Sequence, residues 1–313
     1  MNKLSPLANW IPFRLEKNRE GWLLKWLHLG GKRITEPFFD DTINYCRSIQ
    51  KRVSRFESCS GPALLEAVTD HVTALHPSAF VFHVSRCGST LLSQAFAESE
   101  SCISIAEAPL LDEILRCTEH DPSIDNAQRE DWFKAALSWM GQIRTGREST
   151  YIVKLDSWHI HFYTVLRAWF PEVPFFFLTR RPGEILASHA KIRGIHMIPG
   201  MVNPLLLKMG KLPEFKGDFS SFGSDVLKHY YQELQVILAL DCRFNRFFDY
   251  SKGGREMLES FAEFTGIELE EKMYERLKFH SKSVGLDFET EPELPDLSSK
   301  ACQGAYQQFI NAF

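Results

Sequence analysis

Two stretches of the chain hold residue types suited to oxyanions. The first is Ser85-Arg86-Cys87-Gly88-Ser89-Thr90. Before it runs Phe80–Val84, apolar, aromatic and β-branched, the pattern of a strand buried on both faces. After it runs TLLSQAFAES from Thr90, whose Leu91, Leu92, Ala95 and Phe96 follow helical spacing. A strand, a tight turn and a helix N-terminus leave backbone N–H groups unpaired toward one concavity, where the helix dipole also favours negative charge. Arg86 adds a planar, forked cation, Gly88 lets the backbone approach closely, and Ser89 and Thr90 add hydroxyl donors. The same connection occurs in α/β proteins that bind nothing there, and both readings stand at this point. The nucleoside-triphosphate pattern G-x-x-x-x-G-K-[ST] is not met. It would need a glycine five positions before Gly88 and a lysine directly after it, where His83 and Ser89 stand. Cys87 is open to two roles, a small loop filler or an acidic thiol in a positive field.

The second stretch follows FFFLT and reads RRPGEILASHAK. Arg180 closes a strand, Pro182 suits the first turn of a helix, and Ser188 falls two turns along. An arginine and a serine so placed can face one phosphate together. Singly, each is also an ordinary surface arginine or core-edge serine.

Both stretches need strand ends to position them, and the pattern supplies strands. From Pro77 onward the apolar runs Phe80–Val84, Ile103–Ala106, Tyr151–Lys154, Phe175–Thr179 and Arg246–Tyr250 alternate with helical segments. Those helices are expected at Thr90–Glu98, Pro109–Cys117, Trp132–Arg144, His161–Trp169, Gly183–Lys191 and Asp225–Leu240. The alternation predicts an α/β fold with a parallel sheet and helices on both faces, its ligand at the carboxyl ends of the strands. Residues 1–75 read differently, as a small α+β appendage: strands Ile11–Glu16 and Trp22–Leu29, a helix from about Pro37 and another over Ala63–Leu75. The domain expectation is therefore 1–75 and 76–313. Gly194 to Gly217, rich in glycine, proline, Met and Leu, is expected to be a lid over a substrate rather than a buried connector.

Composition narrows the partners. A net charge of −4 argues against a nucleic-acid backbone or an anionic membrane as partner. The seven cysteines are odd in number and scattered, with no C-x-x-C pair, so disulfides and a zinc site are not expected and a reducing cytoplasm is. No segment has signal-peptide or membrane-spanning character. Oligomeric state is not legible.

With the residues in view, SRCGSTLL resembles the 5′-phosphosulfate loop of PAPS-dependent sulfotransferases, P-[KR]-[ST]-G-[ST]-[ST]-[LW]. RRPGEILAS resembles their second signature, R-x-P-x-[DE]-[IV]-x-x-S, matching at Arg180, Pro182, Glu184, Ile185 and Ser188. The resemblance covers roughly 77–280 and implies a P-loop-like fold and PAPS as co-substrate, with 3′,5′-ADP as product and no metal. By it, Ser85, Arg86, Cys87, Gly88, Ser89 and Thr90 hold the phosphosulfate, and Arg180 and Ser188 hold the 3′-phosphate. YIVKLD is similar to the strand carrying a lysine before the catalytic histidine of cytosolic members; Lys154 is kept, and Asp156 stands at the histidine's place. Lys154 is then expected to assist at the leaving phosphate, and Lys282 of FHSKSVG to close over the donor. Bacterial and tyrosylprotein members use a glutamate at the end of the second strand, which points to Glu107 as general base, with Asp156 second. Glu107 can equally cap the helix beginning at Pro109. The acceptor, a small molecule with a hydroxyl or amine, is not legible; the Met/Leu-rich loop suits an apolar one, Lys208 and Lys211 an anionic one. The rival readings are a P-loop phosphotransferase and a nucleotide-binding module without activity.

Overall fold

A computed structural model describes residues 7–210, 215, 217–279 and 296–313. Lys282 and Lys211 lie outside them. Among the described residues the strands are β1 Trp10–Lys17, β2 Trp22–His28, β3 Ser58–Ser60, β4 Ala79–His83, β5 Cys102–Ala106, β6 Thr150–Lys154, β7 Phe175–Thr179 and β8 Asn245–Asp249. The first three form an antiparallel sheet in that order, and the last five a parallel sheet ordered β5-β6-β4-β7-β8. The fold is α/β, with helices between the parallel strands. Every residue of β4, β5 and β7 is buried, which requires cover on both faces and explains why these strands read as unbroken apolar runs.

The chain forms two compact units. The first comprises 1–80, 90–155 and 267–286. In it β1 and β2 form the expected hairpin, closed by Lys17 against Trp22. The Asn18 carboxamide oxygen accepts from the N–H groups of Glu20 and Gly21, both at 2.9 Å, fixing the turn. The appendage is more than a hairpin. β3 adds to the free edge of β2, a strand that Ser-Cys-Ser could not announce because it has no apolar face. The hairpin's tryptophans pack on the helix Asn126–Met140: Trp22 meets Trp132 at 6.0 Å and Trp26 meets Trp139 at 4.8 Å, both edge-on.

That helix starts six residues before the expected Trp132, because Asp125 caps it by accepting from Gln128 N–H at 2.8 Å. It ends at Gly141, where any Cβ would strike the Tyr151 ring and the Leu75 carbonyl. The helix expected over Ala63–Leu75 stops at Ala67. Val68 and Thr69 are β-branched, and the chain tightens into a 3₁₀ turn at Thr69–His71.

The helix Pro109–Leu115 is tied to β1 by one half-buried acid. Glu113 accepts Leu15 N–H at 2.6 Å and an Arg14 Nη1 donor at 2.9 Å. Burial outweighs both contacts and pushes its carboxyl up to about 7 from an ordinary 4.5.

The second unit comprises 81–89, 156–266 and 287–313. Phe177 stacks between Phe82 at 4.8 Å and Phe247 at 4.7 Å, an aromatic spine across β4, β7 and β8. The helix expected from His161 begins earlier as a 3₁₀ turn over Ser157–Phe162 and becomes regular over Tyr163–Trp169. The helix expected from Asp225 begins at Phe219, capped by Asp218. In the glycine-rich segment Met197, Val202 and Leu207 are buried while Met201 and Leu205 are exposed.

Between pH 4.5 and about 7 the folded chain therefore holds a proton on Glu113 that the unfolded chain has released. This contribution favours the fold fully below about 4.5 and is lost as pH rises through 7, on the order of 3 kcal/mol in all. Glu113→Gln keeps an acceptor for Leu15 but cannot titrate. The melting temperature of the wild type minus that of the variant should fall steadily from pH 5 to pH 8 (about the window of the shift). A difference independent of pH would show that Glu113 titrates normally.

Candidate active site

The loop after β4 is built from unusual backbone. Ser85, Arg86 and Gly88 have φ of 71°, 49° and 82°, so two non-glycine residues adopt left-handed conformations in one short turn. Side chains hold it there. The Ser85 N–H donates to His83 Nδ1 at 3.1 Å. Ser85 Oγ lies 3.1 Å from His189 Nε2, while His189 Nδ1 accepts from Gly194 N–H at 3.1 Å. An accepting Nδ1 places the neutral ring's proton on Nε2, so the imidazole donates to the serine. Cys87 is fully buried with its Sγ 3.4 Å from the Leu178 carbonyl, the loop-filler role rather than an open nucleophile. Gly88 is required twice: by its φ, and because a Cβ would collide with the ring of Tyr250.

Arg180 reaches this loop. Its Nη1 donates to the Arg86 carbonyl at 3.0 Å, and its guanidinium lies 5.7 Å from the centre of the Tyr250 ring. Glu184, one turn into the helix Pro182–Lys191, accepts from Arg180 Nε at 2.5 Å, and the Tyr231 hydroxyl donates to the Arg180 carbonyl at 2.6 Å. The acid of the second motif thus orients the arginine of the same motif. The structure brings together Arg86 and Arg180, which are 94 positions apart. Ser188 is half-buried in the same helix and makes no hydrogen bond to either among the described residues. The Arg86 guanidinium donates to the Ile192 carbonyl at 2.5 Å.

In the first unit, Lys154 at the end of β6 is completely buried. Its Nζ contacts Glu107 Oε1 at 2.5 Å and donates to Thr90 Oγ1 at 3.1 Å, with the Phe38 ring 5.2 Å away. Glu107 follows β5 directly, has φ 54°, and donates its N–H to the Lys154 carbonyl at 2.8 Å. Its carboxylate does not cap the next helix: the N-cap is Ala108, without a side-chain bond. The carboxylate pairs with Lys154 instead.

Asp156 heads the 3₁₀ turn of the second unit, its N–H donating to His159 Nδ1 at 3.2 Å. Burial lowers the pKa of His161, whose ring lies 3.8 Å from Glu233, which also takes Lys208 at 2.5 Å. The sequence reading missed Tyr250, His189 and Phe38. Tyr250 was detectable as an aromatic at the carboxyl end of a buried strand, and His189 as the residue directly after the second motif.

No protein-family model and no curated protein matches the chain. Among solved structures it matches several sulfotransferase domains. It is similar to the sulfotransferase domain of the curacin biosynthetic pathway, at 14% identity and TM-score 0.45 over 76% of this chain and 99% of that one. The sulfotransferase domain of the Synechococcus PCC 7002 olefin synthase gives 14% and 0.46 over 76% and 96%. The sulfotransferase STF9 of Mycobacterium avium gives 11% and 0.47 over 79% of each chain.

The Gly88–Tyr250 approach is open to a double-mutant test. Gly88→Ala should lower stability by about 1–3 kcal/mol, from strained φ plus the ring collision. In a Tyr250→Ala background the collision is gone and only the φ cost remains, so the same substitution should cost measurably less in urea unfolding. Equal costs in the two backgrounds would mean that the ring is no obstacle.

Proposed function

We propose that the chain is a sulfotransferase. It moves the sulfuryl group of 3′-phosphoadenosine 5′-phosphosulfate (PAPS) to a hydroxyl or amine of a small acceptor. The observation that carries this reading is the Arg180–Arg86 contact, which seats the arginine of the second motif on the loop of the first. Two separate oxyanion motifs on one loop suit a donor with phosphate at both the 3′ and 5′ positions. The hydroxyls of Ser89 and Thr90 fit tetrahedral oxyanions as well.

In the reaction the acceptor oxygen or nitrogen bonds to sulfur as the bond from sulfur to the bridging phosphate oxygen breaks. The acceptor's proton passes to Glu107, and the products are 3′,5′-ADP and a sulfate ester or sulfamate. Arg86 offsets negative charge growing on the bridging oxygen. Arg180 and Ser188 hold the 3′-phosphate. Lys154 keeps Glu107 in place and assists at the leaving phosphate. Sulfuryl carries less charge than phosphoryl, so these cations suffice without a metal.

Calorimetry tests the donor. 3′,5′-ADP should bind far more tightly than 5′-AMP, and Arg180→Ala should remove most of that preference, since a lost charge-assisted bond costs ~1.5–3 kcal/mol. Equal affinity of the wild type for the two nucleotides would sink the assignment. Binding that vanishes on chelation and returns with magnesium would favour a phosphotransferase.

Turnover tests the base, once a screen of phenols, steroids, sugars and lipid alcohols has supplied an acceptor. Glu107→Gln should lose on the order of 10²–10⁴ in rate while 3′,5′-ADP affinity stays unchanged. Asp156→Asn should stay near wild type. The reverse pattern, an active Glu107→Gln and a dead Asp156→Asn, would move the base to the third strand.

A further inference from the structure

The loop that carries Ser85 and Arg86 is tied to the start of the glycine-rich segment at two neighbouring points. The Arg86 guanidinium donates to the Ile192 carbonyl at 2.5 Å. Ser85 reaches Gly194 through a ring: His189 Nε2 donates to Ser85 Oγ and His189 Nδ1 accepts from Gly194 N–H, each at 3.1 Å. Ser85 and Arg86 are the loop's left-handed, non-glycine residues, so both ties start where its backbone is strained. All of these residues belong to the second unit.

Gly194 has no room to give. Its φ of −77° and ψ of 154° suit any residue, so the backbone does not call for glycine there. Space does: a Cβ would lie 2.9 Å from His196 Cε1 and 3.2 Å from His189 Cε1. The two imidazoles are buried and meet edge-on at 5.3 Å, and His196 stacks on Tyr230 at 6.3 Å. His196 lies in the 3₁₀ turn Ile195–Met197, which closes with Met197 N–H on the Gly194 carbonyl at 3.0 Å. A shift of the His189 ring therefore passes to Gly194 by a hydrogen bond and to the next turn by contact.

We infer that His189 is a positioning residue that couples the Ser85–Thr90 loop to the segment 194–210. Whatever fixes the Ser85 hydroxyl also fixes Gly194 and the turn after it. Only the identity of the loop's ligand rests on the proposed function: by that reading, a donor on the loop tightens the segment expected to lie over a substrate. A histidine that merely filled the core would hold Gly194 without responding to Ser85.

Amide hydrogen exchange read at the Gly194 N–H separates the two roles. Ser85→Ala removes one hydroxyl, deprives the His189 ring of one contact, and should speed exchange at Gly194 by about three- to tenfold. His189→Asn places its amide oxygen near the Nδ1 position, keeps the Gly194 acceptor and is too short to meet Ser85. In that background Ser85→Ala should leave Gly194 exchange unchanged, because the route through the ring is cut. His189→Gln reaches the Nε2 position instead, so it keeps the serine contact and should speed Gly194 exchange by itself. With saturating 3′,5′-ADP, exchange at Gly194 should slow in the wild type and not in His189→Asn. Ser85→Ala requires no His189 variant to fold, so the first comparison decides by itself if they do not. An unchanged Gly194 in Ser85→Ala, an equal change in both backgrounds, or a bound nucleotide that leaves wild-type Gly194 exchange as it was would each overturn the coupling. Failure of 3′,5′-ADP to bind would instead refute the sulfotransferase reading, and the nucleotide-free comparison would still decide the coupling.

Discussion

A completely buried ammonium sets the terms for the first unit. Lys154 has no access to water, so its charge needs a partner, and removing the partner of a buried ion typically costs about 3–5 kcal/mol. Glu107 is that partner, and Lys154 holds it at both ends: its carbonyl takes the Glu107 N–H and its ammonium takes the carboxylate. The left-handed φ of Glu107 follows from this double hold, since a non-glycine residue stays there only when its surroundings over-determine it. The same strain turns the carboxylate away from the helix it would otherwise cap. A carboxylate so fixed keeps one orientation, and about a quarter of its side chain, 23%, remains open to solvent.

The second unit reaches rigidity by another route. Its loop carries left-handed Ser85 and Arg86, and each neighbouring contact fixes a backbone atom or a small side chain. His83 takes one N–H, His189 the serine hydroxyl, and Arg180 the carbonyl of Arg86. Tyr250 fills the space beside Gly88. Arg180 in turn is held by Glu184 at Nε and by Tyr231 at its own carbonyl. Charge is thus placed by hydrogen bonds to neutral groups and packing together with the Arg180–Glu184 ion pair.

The parallel strands were legible because burial on both faces leaves nothing but apolar runs, as FVF, CISIA and FFFLT show. Helix starts were less so: Asp125 caps a segment whose first turn, Asn126 to Arg129, carries no apolar stripe, and in the helix capped by Asp218 the opening Phe219 and Phe222 are followed by Gly223, Ser224 and Asp225, which interrupt the pattern. β3 was invisible because three polar or small residues pair through backbone alone. At the site, motif spacing marked Arg86, Gly88, Arg180 and Glu184, since those positions are close in sequence to a strand end. Tyr250, His189 and the Lys154–Thr90 bond come from distant segments that only the folded chain brings near.

One absence in the sequence acquires a physical reading from the fold. The loop has Ser89 where nucleoside-triphosphate loops carry a lysine. A lysine on the loop itself is a long, mobile side chain whose charge follows the phosphate. Here the ammonium beside the start of the helix comes from β6, where Lys154 donates to Thr90 Oγ1. Placed on a buried strand and paired with Glu107, it holds its charge beside Thr90. That arrangement ties the cation and the carboxylate together: a change that moves Lys154 also moves Glu107. The two residues therefore form one unit, and the left-handed backbone of the glutamate is a consequence of the buried charge.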